Sequence, residues 1–133
     1  SMQKLQKDVV DSGGVWLSIC SAQPGKGGQV SAEDFRAAAV KKKVAATAII
    51  RDTEGVVGRA FGAKTTPHIF VIAPDGKVIY NGAPDNNPAP RLLPGKTLVN
   101  YVAAALAASR AGKPVETEMT RPYGCMIKYK AKP

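Results

Sequence analysis

Histidine occurs once in this chain of 133 residues, as His68, and cysteine twice, as Cys20 and Cys125. With no close spacing among the three there is neither a Cys-x-x-Cys pair nor a zinc ligand set, so no metal site is expected. Acidic residues are few: 10 Asp and Glu stand against 19 Lys and Arg, a net charge of +9 that suggests an acidic partner. The basic residues are dispersed, however, and no aromatic-interleaved basic motif accompanies them, which makes nucleic acid an unlikely partner. The one internal cluster, Lys41-Lys42-Lys43, falls where a helix should end and complements the helix dipole. No apolar run approaches the length of a membrane span, so no membrane-crossing segment is expected. Nor does Met2-Gln3-Lys4-Leu5-Gln6 open a secretory h-region, which makes a cytoplasmic location the default expectation. Gly25-Lys26-Gly27-Gly28 lacks the spacing of a phosphate-binding loop, and no serine–histidine–aspartate set can be assembled by spacing. No cofactor is called for.

What is present is an ordinary globular composition in one domain, 2–133, with 116–133 as a C-terminal tail. Leu5 and Val9 repeat at helical spacing within 3–12, and Gly13-Gly14 stops that helix. Val15–Cys20 is a nearly continuous apolar run, the pattern of a strand buried on both faces. Ser31 caps a helix to about Lys43, with Glu33 and Asp34 in its first turn. A short strand at 47–50 and a short helix at 56–61, capped by the Asp52–Gly55 stretch, follow.

The chain is organised around the next stretch, Lys64-Thr65-Thr66-Pro67-His68-Ile69-Phe70-Val71-Ile72. Proline donates no backbone N–H and so opens a strand or lies on an edge, and X-Pro is the step where a cis peptide costs least. Strand 68–72, the Pro74-Asp75-Gly76 turn and strand 77–82 read as an antiparallel hairpin. A polar loop over 83–95, a helix over 96–112 stopped by Gly112, a turn at Arg121–Gly124 and an edge strand at 125–130 complete the chain. Alternation of strands and helices, then a hairpin with a packing helix, gives an α/β layered domain.

That order resembles the thioredoxin-like fold, a three-layer α/β sandwich, without its opening strand. Val15–Ile19 with Pro24-Gly25-Lys26, Gly58–Ile72, Asp75–Ala83, Asn100–Leu106 and Pro122–Cys125 are similar to redoxins of the alkyl hydroperoxide reductase/thiol-specific antioxidant group. The resemblance implies a central strand followed by a thiol motif at a helix N-terminus, where the dipole stabilises thiolate. It also implies that Thr66 and Pro67 hold substrate backbone opposite that thiol. The chain starts inside what the resemblance makes the thiol-bearing helix, so strand and motif would lie before residue 1. The strands at 15–20 and 68–72 would then flank a vacancy. Direct pairing, insertion of the 125–130 tail, or strand exchange in a homodimer would each fill it.

Cys20 ends its strand, on the edge where open α/β sheets carry their sites, but its neighbours are small or apolar. Cys125, beside Arg121 and Lys128, resembles a cysteine that such redoxins carry near their C-termini as a partner to the missing thiol. Two functions follow. The first is a truncated redoxin-like domain without the usual catalytic motif, serving as a binding or structural module. The second is a residual thiol–disulfide oxidoreductase or peroxidase-like enzyme that uses Cys125 or Cys20 toward a protein thiol. Related redoxins are often exported, which stands against the default location.

Overall fold

The computed structural model describes residues 2–26, 30–89 and 91–132. Gly27 and Gly28 of the glycine-rich stretch lie outside the described residues. The architecture is mixed α/β, with three two-stranded sheets distributed over two compact units. Among the described residues no helix is long and apolar enough to cross a membrane.

The first unit runs to Ala63 and takes in the chain again from Ile127. Helix α1 (Met2–Asp11) buries Val9 and Gln6, and its outer face carries the Lys4–Asp8 and Lys7–Asp11 ion pairs. The buried Gln6 is satisfied, because its Oε1 accepts the Ala45 amide at 3.1 Å. Strand β1 (Leu17–Cys20) pairs in parallel with β2 (Ala48–Arg51), Leu17 opposite Ala48 and Cys20 opposite Arg51. Helix α2 (Ala32–Lys41) starts where expected, with the Ser31 hydroxyl accepting the Asp34 amide. Helix α3 (Val56–Phe61) lies between Gly55 and Gly62. Strand β1 departs from the expectation of burial on both faces: Leu17 is 51% and Ile19 38% exposed.

In the second unit, β3 (Thr65–Thr66) precedes the hairpin of β4 (Ile69–Ile72) and β5 (Val78–Gly82). The turn closes as its residues dictate, with Ala73 and Lys77 bonded across it and the Asp75 carboxylate accepting the Lys77 amide at 3.0 Å. Helix α4 (Tyr101–Arg110) packs on both hairpin strands. Val102 and Ala105 meet a core of Val71, Tyr80 and Ala83 there, and the Tyr80 and Tyr101 rings stack.

Helix α4 begins at Tyr101, five residues later than the apolar pattern from Lys96 suggests. The reason is local. Asn86 Oδ1 accepts the Val99 amide, Asp85 pairs with Asn100, and the Asn100 side chain then caps the helix. Leu98, within the expected helix, is 54% exposed. The tail strand is also shorter than 125–130: β6 comprises Cys125–Met126 alone and pairs antiparallel with β3. Its insertion beside strand 15–20 or strand 68–72 is therefore not what occurs. Among the described residues β1 has β2 as its strand neighbour, and β4 has β5.

Candidate functional site

Three of the four residues singled out from sequence come together in the second unit. Thr66 stands in direct register with Cys125, Thr65 with Met126, and the Thr66-Pro67 peptide is cis. Cys125 is exposed, so the thiol-bearing residue is backbone-paired yet open to solvent. Cys20, the fourth, belongs to the other unit, half-buried at the carboxyl end of β1 beside Arg51 of β2. Neither cysteine is in a disulfide.

Gly124 sets the approach of β6 to the loop. Its φ is +121°, and a Cβ there would strike the Thr66 carbonyl oxygen and come within 2.9 Å of the Thr66 carbon and 3.1 Å of Pro67 Cδ. Only glycine lets the backbones meet this closely. The preceding residue is anchored as well, because the Tyr123 hydroxyl donates to the Asp85 carboxylate. Burial pushes the Tyr123 phenol well above its ordinary value, and the hydrogen bond to Asp85 and its charge add to the rise. Tyr123 thus stays a neutral donor.

The loop itself is closed by side chains. Thr65 Oγ1 donates to the Pro67 carbonyl at 2.9 Å. The Lys64 amide donates to His68 Nδ1 at 3.1 Å, and His68 Nε2 lies 2.7 Å from Asn81 Oδ1 on β5. The imidazole also stacks on Phe70, with centroids 4.5 Å apart. Asn81 is in turn fixed by backbone bonds with Glu118 and Thr120.

The first unit holds a buried polar cluster that is structural in character. Asp52 Oδ2 accepts the Ser21 hydroxyl at 2.7 Å and the Gly58 amide at 2.9 Å. Burial alone would raise the Asp52 pKa. The bonds from Gly58, Ser21, Val57 and Val56 outweigh it and hold the carboxyl below its ordinary value. This carboxylate serves the N-terminus of α3, as the Asp52–Gly55 stretch led one to expect. Beside it, residues 127–132 cross α3. Tyr129 donates to the Ala63 carbonyl, Arg59 lies over the Tyr129 ring, and Arg59 also donates to the Lys130 carbonyl. Lys130 pairs with Glu54.

Gly124, Tyr123, Asp85 and Tyr129 were not singled out as site residues by sequence. Gly124 gave a turn signal next to Cys125, but nothing local shows that its turn lies against Thr66. Among the described residues no three His, Cys, Asp or Glu side chains group to hold a metal ion.

No protein-family model and no curated protein matches the sequence. Two crystal structures share its mixed α/β architecture over 98% of its length. A hypothetical protein from Sinorhizobium meliloti 1021 superposes with a TM-score of 0.82 at 25% identity, with 70% of that chain covered. An uncharacterized conserved protein from Geobacillus kaustophilus gives 0.83 at 25% identity, with 68% covered.

Proposed function

We propose that this chain is a thioredoxin-like redoxin domain whose thiol chemistry resides in Cys125, held at the Thr66-Pro67 loop. The observation that carries the reading is the register of Thr66 with Cys125, which Gly124 makes possible. In the family it resembles, the residue before this proline holds substrate backbone. Here the chain's own cysteine takes that backbone position and exposes its side chain to solvent.

The reaction is thiol–disulfide exchange with a partner protein. Cys125 Sγ, its proton lost to water, attacks one sulfur of a partner disulfide. A Cys125–partner bond forms as the partner's S–S bond breaks. The departing thiolate carries off the electron pair and takes up a proton. Cys125 is thereby oxidised to the mixed disulfide and the released sulfur is reduced. A second thiol of the partner then resolves the mixed disulfide by the same chemistry.

The test is reaction of the chain with glutathione disulfide and a reductase-coupled insulin assay, comparing Cys125→Ser with Cys20→Ser. Mixed-disulfide formation should vanish in Cys125→Ser and persist in Cys20→Ser. The reverse result, or reaction undiminished without Cys125, overturns the assignment.

A second reading, as a binding module, is favoured by β1. Leu17 and Ile19 lie exposed on one face, and no charged residue occurs from Ser12 to Gly25. Among the described residues β1 has a strand partner on one side only, and it carries none of the lysine, proline or bulge that usually guards an edge. We infer a homodimer that pairs β1 with its copy about Ser18. Leu17 would then stand opposite the copy's Ile19, with no like charges facing in a chain of net charge +9.

A further inference from the structure

We propose that His68 is the positioning residue of the Cys125 site: its neutral imidazole, protonated on Nε2 and bare on Nδ1, holds the loop with which Cys125 pairs. The inference rests on the reading of Cys125 as the reactive thiol. It begins from a donor count. A backbone amide can only donate, so the 3.1 Å bond from the Lys64 N–H requires a lone pair on Nδ1. The neutral ring then carries its proton on Nε2, which points at Asn81 Oδ1 2.7 Å away. Both ring nitrogens are used, and each fixes the role of the other.

The geometry ties three elements. Nδ1 closes a ring from the start of β4 back to Lys64, enclosing Thr65, Thr66 and Pro67. Nε2 ties that ring to β5 through Asn81, whose backbone is locked by Glu118 and Thr120. Stacking on Phe70 keeps the imidazole plane in place. The loop so held contains Thr66, the residue opposite Cys125. His68 touches no reacting atom. It determines whether the partner backbone of Cys125 is fixed.

A proton added to Nδ1 would set an N–H against the Lys64 N–H, two donors face to face, and the tether would open.

The experiment uses the full chain with Cys20→Ser, so that one thiol reports. Imidazole nitrogen NMR identifies the tautomer, amide exchange reports the Lys64 bond, and an aromatic disulfide reagent reports the Cys125 rate per thiolate across pH. At neutral pH Nδ1 should be the unprotonated nitrogen. Lys64 protection and the Cys125 rate should change together when the Nδ1 acceptor is removed. His68→Phe, which keeps the stack alone, should lower Lys64 protection by about fivefold, the worth of one ordinary hydrogen bond. It should also change the Cys125 rate. His68→Asn, which returns an acceptor near the Nδ1 position, should restore both. A proton found on Nδ1 at neutral pH overturns the proposal, and so does a Cys125 rate profile unchanged in His68→Phe. The tautomer measurement needs no His68 variant and stands if one fails to fold. Because the reagent is small, failure of Cys125 to exchange with protein disulfides would sink the functional reading and leave this one intact.

Discussion

Gly124→Ala is the sharpest single perturbation of the site. The added Cβ faces a carbonyl oxygen, its carbon at 2.9 Å and Pro67 Cδ at 3.1 Å, none of them the far end of a flexible side chain. Relief must therefore come from backbone movement. Holding an L residue at φ +121° adds about 1–3 kcal/mol of its own. The alternative is to release β6 from β3, which forfeits a two-residue pairing worth about 2 kcal/mol at roughly 1 kcal/mol per hydrogen bond. Detachment costs less than clash and strain together, so the chain should take that route. Urea unfolding should show a loss of about 2 kcal/mol. Amide exchange should show the loss concentrated at Thr65–Thr66 and Cys125–Met126, with the β4–β5 hairpin protected as before. A variant within about 0.3 kcal/mol of the parent, with unchanged exchange at those four amides, would refute the argument that Gly124 is what brings Cys125 to the loop.

Two further outcomes concern the first unit. Asp52→Asn keeps the shape and removes the charge, and should cost about 1–2 kcal/mol at neutral pH in an equilibrium unfolding experiment. Because the folded Asp52 carboxyl lies below its unfolded value, its contribution is fully present above about pH 4 and is lost as pH falls through the folded value. Stability measured from pH 6 down to pH 2 should therefore fall less steeply in Asp52→Asn, and parallel curves would count against the buried-carboxylate account. Ile19→Lys should convert the proposed dimer to monomer in light scattering coupled to size exclusion. A parent chain that is monomeric throughout would dismiss the dimer.

Much of the local structure could be read from the residues, and what could not follows from contacts distant in sequence. Helix α3 lies where the glycines on either side and Asp52 placed it, and the hairpin follows its Pro74-Asp75-Gly76 turn. The start of α4 is not legible in sequence, because Leu98 and Val99 have the apolar character of a helix face. Asn86, well before them in the chain, holds them extended. The end of the tail strand is not legible either, because 125–130 alternates like an edge. Beyond Met126, however, the carbonyls of Lys128 and Lys130 are taken by the Gln23 amide and the Arg59 guanidinium instead of a strand. Thr66, Pro67 and Cys125 were each legible as candidates from residue type and neighbours. Their convergence was not, since a two-residue antiparallel pair between distant segments carries no periodicity and depends on one close backbone approach. The exposure of Leu17 and Ile19 was likewise hidden, because an apolar run signals burial without saying what does the burying.

The tail across α3 has a genetic consequence. A short segment outside helices and sheets usually tolerates substitution. Here a Cβ at Gly55 would fall 2.7 Å from Tyr129 Cδ1, and one at Gly58 2.6 Å from the Tyr129 hydroxyl, so two glycines of α3 and its cap are shaped around that ring. Tyr129→Ala would spare every described helix and both cysteines, yet leave Gly55 facing the space of the lost ring and Gly58 held by Ser21 alone. Mutational tolerance along these residues should thus dip at Tyr129, after rising through the exposed stretch that precedes α4.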